Sequence, residues 1–190
     1  MGEKKTDRRT LKTKKALSNA LAELLMEKEI RKVTVQEIAD KADVNRVTFY
    51  KHFYDVYDLY ENIEKEVLIE LALLMLELEN LPSEKFFAHL TDYIDKNRMV
   101  FKMIFCPNTT GQLRTKFDRL YSGLILKIQS EKQELDITDS SLLYQNCYRS
   151  QGSIAIISKW VLNNFTESTE FITKILSDLD HNTEKFITNK

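Results

Sequence analysis

Residues 34–53 read TVQEIADKADVNRVTFYKHF, and this stretch decides the fold. Thr34 with Glu37 three positions on has the capping-box pattern, in which hydroxyl and carboxylate reciprocally satisfy the free N–H groups of a helix start. A short helix is therefore predicted to run to about Lys41, with the small Ala39 where a second helix can cross it closely. Asp43 and Val44 supply a turn, and Asn45 caps a helix predicted from Arg46 to about His52. Val44 and Phe49 point between the two helices. Asn45, Arg46, Thr48, Tyr50, Lys51 and His52 are left facing outward, with donors that can reach phosphate oxygens and base edges from a helix in the major groove. The pattern is that of a helix-turn-helix.

Upstream, a basic arm with Lys4, Lys5, Arg8, Arg9 and Lys12 leads into a helical stripe of Leu17, Ala20, Leu21, Leu24 and Leu25. The arm is either a solvated tail or a contact to the DNA backbone or minor groove, with Arg9 as its candidate. The chain as a whole carries a net charge of −1, yet residues 1–53 hold 13 Lys and Arg against 8 Asp and Glu. The basic end is thus the candidate for a polyanion. The start of the chain runs into charged residues instead of an apolar segment, so no export signal is expected and a cytoplasmic location is.

Downstream, Asp55 can cap a long fourth helix reaching about Glu79, and further helices are predicted from Ser83, over Arg98 to Phe105, from Gln112 to about Lys132, from about Ser140 to Asn163, and from a Ser168 cap onward. Four glycines and two prolines in 190 residues leave little punctuation for strands. The expected fold is all-α with about nine helices: a DNA-binding domain over 1–54 and a larger regulatory and dimerisation domain over 55–190. The most apolar run, Val67 to Leu78, is broken by Glu70 and Glu77 and is too short for a bilayer, which takes about 20 residues. It reads as a buried helix, and no membrane contact is expected. Cys106 and Cys147 form no CxxC pair and read as two small buried hydrophobes.

The run Val35-Gln36-Glu37-Ile38-Ala39, with Val44 to Phe53 and Leu59, resembles the signature of TetR-family regulators over about residues 10–60. Gln151-Gly152-Ser153 to Trp160-Val161-Leu162 and the last helix are similar to a C-terminal domain of TetR-type regulators of Firmicutes, some of which sit in dihydroxyacetone-kinase operons. The resemblance implies that the third helix enters the major groove, with Arg46 and Lys51 at base edges and Asn45, Thr48, Tyr50 and His52 on phosphates. Thr34, Val35 and Val47 join them in the expected DNA-binding set. It also implies a homodimer built from the last two helices of each subunit. Its expected interface comprises Ile154, Ile157, Trp160 and Val161 with the heptad-like Ile172, Ile175, Leu179 and Phe186. Two positions depart from the family pattern: Asp43 stands where a turn glycine is usual, and Val56 where a phosphate-binding lysine is.

Phe86, Met103, Phe117, Tyr121, Tyr144 and Tyr148 either line a ligand pocket or fill the core. His52, His89 and His181 are scattered, so no metal is expected, and no cofactor either. Without a nucleophile elbow, a zinc-hydrolase helix, a P-loop or a dinucleotide fingerprint, the chain does not read as an enzyme. The expected function is a sequence-specific regulator on a double-stranded operator, a repressor released by a small-molecule effector. The alternative is an activator or co-regulator of the same fold whose C-terminal domain binds a protein partner.

Overall fold

Local caps start most of the helices. The computed structural model describes residues 3–134 and 136–188, with side chains over 8–134 and 136–184. The described residues form α1 (Glu3–Glu27), a 3-10 turn (Ile30–Lys32), α2 (Val35–Lys41), α3 (Arg46–Tyr50), α4 (Val56–Leu78), α5 (Ser83–Lys96), α6 (Arg98–Phe105), α7 (Gln112–Gln133), α8 (Ser140–Leu162) and α9 (Thr169–Thr188). Asp55 accepts from the Asp58 N–H at 2.8 Å to open α4, Asp139 from Leu142 at 2.9 Å to open α8, and Ser168 from Phe171 at 3.2 Å to open α9. Each cap satisfies a donor that the helix itself leaves free. No described helix is long and apolar enough to cross a membrane.

α1 packs on α2, α4 and α6, while α4 runs out of this N-terminal cluster to lie along α7. α7 pairs with α8, and α9 lies mainly on α5. The interior of the larger unit is a chain of interlocked rings. Phe101 and Phe105 meet Phe117 edge-on at 6.0 and 5.8 Å, Phe117 stacks on Tyr121 at 6.1 Å, and Tyr121 leans on Phe86 at 6.4 Å.

Of the six residues read as pocket or core, Phe86, Met103, Phe117 and Tyr121 are therefore core, none more than 4% exposed. Tyr144 and Tyr148 are instead 81% and 71% exposed on the outward face of α8 and line no interior space. The set expected between subunits also needs correcting. Ile154, Ile157, Trp160, Val161 and Ile172 are buried within the single chain, where α8 packs on α6 and α7 and α9 packs on α5. The buried stripe of α9 is Ile172 and Leu176, four apart, rather than a heptad seam; Ile175 is half-buried and Leu179 exposed. Phe186 falls outside the described side chains. Cys106 is buried but Cys147 is exposed. α4, read as a buried helix, buries Val67, Leu71, Met75 and Leu78 yet leaves Ile69, Leu73 and Leu76 on the surface.

Long-range polar contacts tie this unit together. Arg149 of α8 holds Asp180 of α9 through Nε and Nη2 at 2.9 and 2.7 Å, and Ser83 Oγ of α5 donates to the same carboxylate at 2.7 Å. Thr91 of α5 and Thr173 of α9 bond at 2.6 Å. Besides the packing of α1 on α6, the loop after α6 bonds to the N-terminal cluster: Asn108 Nδ2 and Cys106 Sγ both donate to the Leu25 carbonyl, at 2.9 and 3.1 Å, and the Ile30 N–H donates to the Asn108 carbonyl at 3.0 Å. These bonds satisfy a carbonyl in the last turn of α1, which has no acceptor role left within its own helix.

Candidate nucleic-acid interface

α2 begins with the capping box read from its sequence: Thr34 Oγ1 accepts from the Glu37 N–H at 3.3 Å, and Glu37 Oε2 accepts from the Thr34 N–H at 2.9 Å. Lys28, just past the end of α1, reaches the other oxygen of Glu37 and so pins α2 to that end. The Lys28 ammonium, followed by the Thr34 N–H and hydroxyl, holds the Glu37 carboxyl down at about 2. A carboxylate whose folded pKa lies below its ordinary 4.5 stabilises the fold above that pH and loses its contribution as pH falls toward 2. Glu37→Gln is expected to flatten the acid limb of the melting-temperature profile across this window and to leave the profile above it parallel to wild type. An unchanged acid limb would mean that another group governs acid unfolding.

The turn closes through Val44 N–H to the Ala39 carbonyl at 2.9 Å, with Asp43 in the left-handed region at φ 53°. Aspartate enters that region more readily than most residues, so the missing glycine costs little. Ala39 is fully buried where α2 meets α3. Asn45 Oδ1 accepts from the Val47 N–H at 2.8 Å and starts α3, which ends at Tyr50; Lys51 and His52 lie in the turn after it, two residues sooner than expected. Phe49 is fully buried and leans on the nearly buried Phe53 at 5.8 Å. Lys14 of α1 sits 5.8 Å over the Phe53 ring.

With Phe49 and Phe53 inward, α3 turns a compact face to solvent. Val47 is 65% and Tyr50 49% exposed, Asn45, Arg46 and Lys51 are exposed, and Thr48 and His52 are half-buried at its margin. Arg46 Nη2 donates to the Tyr50 hydroxyl at 3.1 Å with its guanidinium 5.5 Å from the ring, which stiffens both side chains in the free protein. Thr34 is exposed, whereas Val35 is half-buried and packs on the core. Not every nearby cation is available: Lys41 is held by Glu23 and Glu27, and Arg31 and Lys32 by Glu29. Lys51 and the exposed Arg9 form no ion pair among the described residues. Val56 is only 7% exposed and belongs to the core, so the exposed groups at the start of α4 are Tyr54, at 83%, and Tyr57, at 46%.

Residues 17–63, which contain α2, the turn and α3, match the family model described as bacterial regulatory proteins of the tetR family, and residues 83–182 match a transcriptional regulator C-terminal region. The chain belongs to the TetR family. It is a DNA-binding transcriptional regulator, and the α2–α3 unit lies within the residues that match the first of these models. Over 62 residues it is 34% identical to an uncharacterized HTH-type transcriptional regulator, YxbF, of Bacillus subtilis (strain 168), a stretch that spans 32% of this chain and 16% of that protein. Among solved structures, the dihydroxyacetone kinase operon activator DhaS superimposes with a TM-score of 0.57 at 20% identity, covering 88% of this chain and 93% of its own. A fatty acid metabolism regulator of Clostridium perfringens gives 0.64 at 20% identity, over 85% and 94%. These similarities establish the shared fold.

Proposed function

We propose that this TetR-family regulator works as a homodimer on a roughly palindromic operator, as a repressor released by a small-molecule effector. The observation that carries the reading is the α3 face itself. Arg46, Val47, Tyr50 and Lys51 stand exposed on a helix fixed by an Asn45 cap and by Phe49 and Phe53 below it. Arg46 and Lys51 reach base edges and Val47 a thymine methyl, while Asn45, Thr48, Tyr50 and His52 grip phosphates, with Thr34 and Arg9 at the flanks. Lys51→Ala is expected to cost about 1–3 kcal/mol of operator affinity and relax preference at one base position, whereas Tyr50→Phe weakens all sequences alike. Equal loss on every sequence for both variants would place Lys51 on the backbone beside Tyr50 and remove it from the base contacts.

The subunit contact follows from what α8 leaves uncovered. Tyr144, Tyr148, Gly152 and Ala155 recur at steps of four, four and three along its outward face, with half-buried Ile156 and the exposed Leu179 of α9 beside them. Small residues at the centre allow close approach and aromatic residues supply area, as in a self-complementary two-fold contact. The division at residues 54 and 55 puts the reading head in one unit and this surface in the other.

Selection of bound sequences from a random DNA library at two salt concentrations tests the whole reading. An enriched palindrome at both salts supports a dimeric operator-binding repressor or activator, and transcription from a reporter carrying that palindrome gives the sign. No enrichment at either salt would remove sequence-specific docking by α3 and shift weight to a C-terminal domain that binds a protein.

A further inference from the structure

Beside the exposed Ile69, Leu73 and Leu76, α4 and α7 flank an open apolar trough of about 620 Å3, within the range of small-ligand clefts. Leu68, Ala72 and Leu76 of α4 form one wall, and Leu120, Gly123 and Leu124 of α7 the other. A Cβ at Gly123 would meet nothing within 4 Å, so the glycine keeps the slot open. Both ends are bracketed by ion pairs that cross from α7 to α4: Lys116 with the buried Glu64 at 2.7 Å, and Lys127 with Glu79 at 2.6 Å. The eleven residue steps from Lys116 to Lys127 set a slot of about 16 Å at 1.5 Å per residue. Arg119, exposed and lining the slot between them, has no ion-pair partner among the described residues.

We propose that this trough binds an amphiphilic anion, its unbranched apolar chain lying between α4 and α7 and its carboxylate or phosphate head on Arg119. The inference rests on the effector reading above and names the chemical class of the effector. A guanidinium without a partner favours an oxyanion that it can bind with two parallel N–H bonds. The slot is apolar along its walls and bracketed by ion pairs at both ends, which suits a single chain. A partner helix, about 10–12 Å across with its side chains, would run over both pairs if it lay along the slot. The Lys116 end adjoins Glu64, whose second carboxylate oxygen is buried without a hydrogen-bond partner, and Tyr60, which neighbours Thr109 and Thr110 of the loop holding α1. Filling the slot displaces α4 relative to α7 next to the junction with the reading head.

The test is calorimetric titration of the full chain with dodecanoate below its micelle concentration, in parallel with dodecanol and dodecyltrimethylammonium. Saturable dodecanoate binding is expected, weakened about tenfold by Arg119→Ala while dodecanol binding is unchanged, as a lost charge-assisted contact predicts. Gly123→Leu, with its circular dichroism checked against wild type, is expected to abolish binding of both. Equal binding by Gly123→Leu, equal affinity for the cationic amphiphile, or no saturable binding at all would overturn the proposal. So would self-association that Gly123→Leu removes, which would make a second copy the occupant. Operator release is read separately on the selected DNA. Binding without release keeps the trough and sinks the effector reading, and dodecanoate binding by a chain that selects no DNA sinks the reading head alone.

Discussion

Replacing Asp180 with alanine is expected to lower the stability of the chain by about 3–5 kcal/mol, the cost of leaving a buried charge without its partner. The Arg149 and Asp180 side chains are 7% and 9% exposed, and the carboxylate accepts two bonds from the guanidinium and one from Ser83. With the carboxylate gone, Arg149 is left between α8 and α9, close to the buried Tyr121 hydroxyl, whose pKa burial already raises. Urea unfolding of the variant measures the loss. The double change Arg149→Met with Asp180→Leu is expected to recover most of it, because an apolar pair of similar volume removes the orphaned charge. A single-variant loss under about 1 kcal/mol would place the pair in a hydrated setting, where ion pairs contribute little.

The second large effect concerns assembly. Gly152→Glu is expected to turn the proposed dimer into monomers and to weaken binding to the full palindrome by roughly 10²–10⁴, the gain that joining two half-site readers supplies. The subunit itself should fold, since a Cβ at Gly152 meets nothing within 4 Å and glycine is the poorer helix former by about 1 kcal/mol. Across a two-fold contact each glutamate would face its own copy. Sedimentation velocity on the variant reads the mass and a half-site titration reads the intact head. A variant that stays dimeric would move the interface off the central part of α8.

The contrast between these two sites shows which parts of the molecule are legible in sequence. Thr34 with Glu37, Asn45 and Asp55 cap the helices they were expected to cap because a cap is satisfied within three residues of itself. Asp43 takes its turn for the same local reason. Apolar periodicity is different: it says that a face is covered and not by what. Ile154, Ile157 and Trp160 are covered by their own subunit, and Trp160 donates to the Glu167 carbonyl at 2.9 Å while packing on Phe165 at 4.9 Å. Tyr144 and Tyr148, on the opposite side of the same helix, are left free. The Glu64–Lys116 and Arg149–Asp180 pairs join residues 52 and 31 positions apart, and no spacing rule links charges over such distances. The α4 trough was hidden likewise, because Leu76 and Met75 look alike in sequence and differ only in which neighbour faces them.

The loop that grips the end of α1 has a consequence for how such regulators diversify. On the side of the reading head, the atoms it uses are main-chain ones, the Leu25 carbonyl and the Ile30 N–H; the side chains at the joint, Asn108 and Cys106, belong to the other partner. Bonds to peptide groups are indifferent to the side chains that the helix carries, so they fix where α1 stops, while its buried leucines fix the face it turns to the core. Changes on the exposed α3 face therefore leave the linkage untouched, whereas a substitute for α1 must keep both the register at which it stops and the face that packs on α6.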